Sequence, residues 1–216
     1  MNDKSISHVF FINGIIAILG YNSVLSSLDY FNQVYQSFNV FLYFILPCFI
    51  CATIVSLSFQ KFLDWFCMKK MIIVCLMITS GALILLLIIS LLVSEADVLS
   101  ESSGFYLSIF FLLFIGVFCT TLQLCFFSLI NSFGEKIVSW FTIGTGVSGL
   151  VIILIRALTV GVFGDDPNNK LPIIIYVSIS VGLSLIDCFL NHIFVFSTYT
   201  YQSAFGRNKK PEMEIV

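Results

Sequence analysis

The run MIIVCLMITSGALILLLIISLLV, residues Met71–Val93, decides the fold. Its 23 residues carry no charge, and from Ala82 onward it is almost continuous Leu, Ile and Val. About 20 apolar residues in a helix cross the hydrocarbon of a bilayer. A barrel strand would instead alternate polar and apolar positions over about ten residues, and this run does not alternate. Because lipid satisfies no open peptide group, the run is predicted to be a transmembrane helix.

Five more segments meet the same length and composition: Val9–Leu28, Phe38–Phe59, Phe105–Ile130, Ile137–Val162 and Leu171–Phe196. The sequence therefore predicts an all-α integral membrane protein with a six-helix transmembrane domain over residues 1–196 and a polar cytoplasmic tail over 197–216. The whole composition agrees. Apolar residues make up 59% of the chain, charged residues 10%, and mean hydropathy is +1.05. Soluble domains have about 45–50% apolar and about 25% charged residues, so this chain has too little polar surface to cover a water-facing exterior. The first segment contains Asn13, Gly14, Gly20, Asn22 and several serines, and is too long for the apolar core of a signal peptide. It reads as a helix that faces neighbours or a cavity.

Nothing in the sequence points to an enzyme. It has no Gly-rich phosphate loop, no carboxylate pair in a polar setting and no Cys/His cluster at metal-ligand spacing. No cofactor or metal is expected, and a net charge of −2 gives no nucleic-acid footprint. Six of the seven cysteines lie in apolar runs and Cys67 in a short basic loop, so a disulfide framework is not expected. Cys48 and Cys51, although spaced C-x-x-C, read as packing residues of a helix.

Orientation follows from the loops. Lys4, Lys61, Lys69, Lys70, Lys136, Arg207, Lys209 and Lys210 fall on one side of the six-helix topology. Glu95, Asp97, Glu101, Asp165 and Asp166 fall on the other, with the single Lys170. The positive-inside rule places both termini in the cytoplasm, in a plasma or internal membrane.

Polar groups inside spans are expensive and need a reason. Arg156 lies about 10 Å of helix rise from the outer end of the fifth span, at 1.5 Å per residue. It either snorkels to the headgroups or is a buried guanidinium that binds a solute or locks a helix, with Asp29 as a candidate partner. Asp187, near Asn191 and His192, reads as an interfacial cap or a cytoplasmic gate contact. Gln123 and Asn22 are amides at membrane depth, suited to a ligand or to helix–helix hydrogen bonds. In the fifth span, Gly144, Gly146 and Gly149, interleaved with Thr145 and Ser148, form a small-residue stretch expected to pack closely against another helix.

Two stretches resemble the equilibrative nucleoside transporter family. Ile18-Leu19-Gly20-Tyr21-Asn22-Ser23, followed by Leu28-Asp29-Tyr30-Phe31, is similar to the family's first-helix pattern of a leucine run, Pro-Trp-Asn, a small residue and a closing aromatic pair. Asn22 and Tyr30-Phe31 match, while Gly20 and Tyr21 replace the proline and tryptophan. The second stretch is Gln123, then Ile143-Gly144-Thr145-Gly146-Val147-Ser148-Gly149, then Arg156. It resembles the family's helix-four glutamine, its Ser-Gly-Gln-Gly-Leu-Ala-Gly box and the arginine that follows. Ile143, Thr145 and, in the preceding loop, Gly134 depart from that pattern. The resemblance implies a major-facilitator-like half bundle corresponding to the family's N-terminal six helices. It implies a nucleoside or nucleobase as solute, with Asn22, Gln123 and Arg156 as cavity residues and Tyr21 as a stacking surface. It also implies a second bundle, as a missing second half or as a partner chain in a homodimer.

The leading expectation is a facilitative transporter working by alternating access. The alternative is a non-transporting membrane scaffold or lysosomal-type membrane protein of related fold, such as the distantly similar Batten disease protein family. A six-helix channel is a weaker third, since no filter-like loop is present. The topology is checked by glycosylation mapping: an acceptor site inserted between Ser94 and Glu101 is glycosylated in the endoplasmic reticulum, and one inserted between Lys61 and Met68 is not.

Overall fold

A computed structural model describes residues 3–63, 68–94, 98–131, 134–164 and 170–191. The regular elements among them are all α-helical: α1 (Asp3–Ala17), α2 (Leu19–Leu25), α3 (Leu28–Val34), α4 (Val40–Leu63), α5 (Met68–Ser94), α6 (Glu101–Ile130), α7 (Glu135–Phe163) and α8 (Leu171–Leu190). Among the described residues, six spans are long and apolar enough to cross a membrane. The first consists of α1–α3, and α4 to α8 each supply one. Cys67, His192 and the tail Ser197–Val216 lie outside the described residues.

The first span departs from the expected single helix. It runs over Ile6–Val34, longer at both ends than Val9–Leu28, and is interrupted twice. The interruptions fall at Ile18 (φ −117°, ψ 10°) and at Ser26-Ser27, where Ser27 has φ −109° and ψ 7°. The backbone ladder survives both: Asn22 N–H donates to the Ile18 carbonyl at 3.0 Å, Ser27 N–H to Val24 at 3.0 Å, and Phe31 N–H to Ser27 at 3.1 Å. Irregular backbone is tolerated at membrane depth when protein encloses it. Half of the most apolar window of this span is buried, against 17% for α4 and α7.

The fifth span clamps the first along its length. Near one end, Gly14 of α1 and Gly144 of α7 meet backbone to backbone. A Cβ at Gly14 would strike the Phe141 carbonyl, and one at Gly144 the Phe11 carbonyl. Midway, Asn22 Nδ2 donates to Ser148 Oγ at 3.0 Å. Near the other end, Arg156 Nη2 lies 2.6 Å from Asp29 Oδ2. Contrary to expectation, Gly146 and Gly149 take no part in this packing: a Cβ at either would meet nothing within 4 Å among the described residues. They occupy helix faces turned away from α1, because only positions about four apart stay on one face.

The second close crossing joins α4 to α6. A Cβ at Gly116 would come within 2.9 Å of the Cys48 Cα, and the Cys48 thiol donates to the Leu112 carbonyl at 3.4 Å. Cys48 thus packs, as read from sequence, and the six described cysteines are free thiols. Pro47, whose ring removes a backbone donor from α4, immediately precedes this crossing.

Two apolar cores stack along the bundle. One gathers Leu19, Phe31, Tyr35, Phe44, Phe105 and Tyr176, the other Phe10, Ile72, Cys125, Phe126, Leu129 and Phe141. Glu101 closes the end of the first core. Its carboxylate accepts from Ser37 N–H at 2.8 Å and from Ser37 Oγ at 2.9 Å, tying the link after the first span to the start of α6. Tyr35, just beyond the first span, bonds Ser108 Oγ at 2.7 Å, and burial pushes its phenol up to about 12. It therefore stays a neutral hydrogen-bonding group at neutral pH.

The glycine contact yields a paired test. Gly144→Ala forces the first and fifth spans apart and costs about 1–3 kcal/mol, the usual range for overpacking. Gly149→Ala stays within about 0.5 kcal/mol, as for sites without contacts. Thermal unfolding of the purified proteins in one detergent checks both.

Candidate functional site

A cavity of about 300 Å³ opens at mid-depth between the first span, α4 and α6. Its wall is built from Ile18, Tyr21 and Asn22 of the interrupted span, from Cys48, Phe49 and Ala52 just past Pro47, and from Gly116, Cys119, Thr120 and Gln123 of α6. Each helix contributes where its sequence is least regular or its side chains smallest. The volume lies at the lower end of the roughly 300–1,000 Å³ typical of small-molecule sites.

Three of the four expected solute residues, Tyr21, Asn22 and Gln123, meet here. Tyr21 presents its ring edge-on to Phe49, with centroids 5.8 Å apart. Asn22 spends its NH₂ group on Ser148, while its carbonyl oxygen makes no side-chain hydrogen bond among the described residues. Gln123 makes no side-chain hydrogen bond at all among them. An amide without a partner in a mostly apolar wall costs free energy unless water or a ligand meets it. The helix–helix bonding open to both amides in the sequence is thus made by Asn22 and not by Gln123.

Arg156, the fourth expected residue, does not line this cavity. It pairs with Asp29 and also lies 6.0 Å from the centre of the Tyr176 ring. Of the readings open in the sequence, the structure brings together the helix lock. The Arg156 side chain is 15% exposed and Asp29 57%, so the pair sits where solvent or headgroups reach it.

Several other polar residues in the spans are satisfied locally, while the buried hydroxyls of Thr79 and Ser80 in α5 have no hydrogen-bond partner among the described residues. Thr53, Ser56, Thr121, Thr142 and Ser178 each donate to the carbonyl four residues earlier, the usual way a hydroxyl is hidden in a helix. Ser23 and Tyr176 join the first span to α8: Ser23 Oγ donates to Ser180 Oγ at 3.1 Å, and Tyr176 Oη to the Ser23 carbonyl at 3.2 Å. Among the described residues, no group of three or more His, Cys, Asp or Glu could hold a metal ion.

No protein-family model matches the chain, and neither does any curated protein. The chemistry of the site is therefore read from the cavity. It offers an amide with two donors and an acceptor, a second amide oxygen, an aromatic ring and no formal charge. That set suits a neutral, flat, hydrogen-bonding solute.

Asn13, read as part of a polar first span that faces neighbours or a cavity, faces a neighbouring helix. It is fully buried and hydrogen-bonded to Asn191, 178 residues away. Its one visible signal was an amide in the first half of the first span. Asp187, read as an interfacial cap or a cytoplasmic gate contact, is fully buried, which does not suit an interfacial cap.

The Asp29–Arg156 pair gives a charge-exchange test. Asp29→Arg and Arg156→Asp each lower folded yield and melting temperature, and the double exchange recovers most of the loss. With Asp29 largely exposed, the coupling is about 0.2–1 kcal/mol. A double-mutant cycle on thermal unfolding measures it.

Proposed function

We propose that this chain is a facilitative nucleoside or nucleobase transporter, or the N-terminal bundle of one, and that the cavity at Tyr21, Asn22 and Gln123 belongs to its solute site. The supporting observation is the meeting of those three residues around one uncharged cavity, with the Gln123 amide unpaired. Nucleobases are planar and carry donors and acceptors on their edges. Tyr21 supplies a ring face or edge, and Gln123 with the Asn22 oxygen supplies complementary hydrogen bonds.

Alternating access needs a second bundle to rock against. Leu46, Ile50 and Ile54 of α4 and Leu150, Ile153 and Leu154 of α7 are exposed in this chain. We read these faces as turned toward lipid or the second bundle, in a major-facilitator-like arrangement with the basic helix ends in the cytoplasm. In that arrangement Arg156 acts indirectly, by holding the first span against α7 through Asp29.

Uptake of radiolabelled uridine and adenosine into proteoliposomes or transporter-deficient cells tests the reading, with the chain supplied in its full-length context. Gln123→Ala lowers uptake at least tenfold and raises KM, as expected for an interaction made with the bound solute. Arg156→Ala lowers uptake by no more than about fivefold, as expected for an indirect role through an exposed pair. Unchanged uptake in Gln123→Ala at normal surface expression would remove the cavity from the pathway. A scaffold without a solute site is recognised separately, since a ligand that binds only the folded state stabilises it by RT ln(1 + [L]/Kd). A scaffold shows no melting shift at millimolar nucleoside.

A further inference from the structure

Away from the cavity, the first and sixth spans share a buried polar cluster of Asn13 on α1 with Asp187 and Asn191 at the end of α8. All three residues are 0% exposed. The two amides form a reciprocal pair: Asn13 Nδ2 donates to Asn191 Oδ1 at 2.9 Å, and Asn191 Nδ2 donates to Asn13 Oδ1 at 3.2 Å. Asn191 Nδ2 also donates to the Asp187 main-chain carbonyl at 2.9 Å. That carbonyl can only accept and favours this orientation of the amide pair. The Val9 carbonyl, 3.2 Å from Asn13 Oδ1, also only accepts and favours the reverse. Each orientation thus sets one oxygen against a main-chain carbonyl, and the carboxyl group decides between them. The first orientation leaves Asn13 Oδ1 at 2.7 Å from Asp187 Oδ1. Two oxygens at that distance share a hydrogen bond only if one carries a proton, and the carboxyl is the one that can.

Turning both amides gives the opposite arrangement. Asn13 then donates to an ionised Asp187 Oδ1 at 2.7 Å and to the Val9 carbonyl at 3.2 Å. The Asn191 oxygen is then set against the Asp187 main-chain carbonyl. The other carboxyl oxygen, Asp187 Oδ2, is buried with no hydrogen-bond partner among the described residues. An ionised carboxylate with one bare oxygen and no counter-cation is very costly in an apolar interior.

No cation lies within ion-pair reach of Asp187 among the described residues. Of the titratable and charged groups on its own helix and on α1, α2, α5 and α7, the adjacent Cys188 thiol bears on it. His8 of α1 lies against Trp140. Tyr21 of α2 lines the cavity. Cys75 of α5 sits beside Cys119 and Cys125. Lys70, Glu135 and Lys136 stand at the starts of α5 and α7, Arg156 is held by Asp29, and Tyr176 of α8 is bonded to Ser23.

We propose that Asp187 is a proton-binding site, holding its proton in a hydrogen bond to Asn13 Oδ1, with loss of the proton requiring the Asn13–Asn191 amide pair to turn or part. Protonation then joins the first span to the sixth, and deprotonation loosens that joint. The site stands on the cluster alone and does not depend on which solute the cavity takes.

Infrared spectroscopy of the purified full chain in detergent at neutral pH tests it. The wild type shows a protonated-carboxyl stretch that moves in D₂O. The other described carboxyl groups, on Asp29, Glu101 and Glu135, stand in the first turns of helices at the ends of spans, away from this cluster. Asp187→Asn, which keeps the shape and can still hydrogen-bond Asn13, removes the band completely. If that variant does not fold, the wild type decides alone: its band must be present at pH 7 and bleach on alkaline titration. Absence of the band at pH 7 overturns the proposal. So does a rise in wild-type melting temperature with sodium that Asp187→Asn lacks, which would make the cluster a sodium site.

Discussion

Lipid offers no partner to an open peptide group, and the first span is where this chain comes nearest to leaving one open. Its helix is interrupted at Ile18 and again at Ser26-Ser27, so it must be enclosed. The rest of the bundle follows from enclosing it. α7 clamps it at Gly14–Gly144, Asn22–Ser148 and Asp29–Arg156. α8 bonds it at Ser23 and Asn13, and α6 brings Cys119 against Gly20. The interruption at Ile18 places Tyr21 and Asn22 beside Gln123 in a cavity that would otherwise be a continuous helix wall.

Polar residues in the spans divide by how they are satisfied. Most hydroxyls bond the preceding turn of their own helix and carry no message beyond the helix itself. A second group ties spans together: Asn22 with Ser148, Ser23 with Ser180, and Asn13 with Asn191. A third group lacks partners among the described residues: Gln123 faces a cavity with its amide unpaired, and Thr79, Ser80 and Asp187 each keep a buried oxygen without a hydrogen bond.

The number of spans was legible in the sequence because length and hydropathy decide membrane insertion almost alone, and Met71–Val93 falls wholly within α5. The interruptions in the first span were not legible. Ile18 and Ser27 are ordinary residues, and neither is a proline or glycine that would mark a break in a helix. The Gly144–Gly149 stretch was legible only as small residues. That Gly144 packs while Gly146 and Gly149 do not depends on which face of α7 meets α1, and each of these residues is equally small. Asp29 and Arg156 were visible as a charged residue at the end of one span and another within a second. Their meeting required the first and fifth spans to be neighbours. Asn13 and Asn191, far apart in sequence, could be joined only by the fold.

The central claim is that a flat, neutral solute sits where the interrupted first span faces α4 and α6. Photoaffinity labelling of the protein with a photoreactive uridine or adenosine analogue, followed by peptide mapping, addresses it most directly. The account predicts crosslinks within residues 18–22, 48–52 and 116–123, abolished by excess unlabelled nucleoside. Labelling confined to other segments, or labelling that unlabelled nucleoside does not compete away, would contradict it.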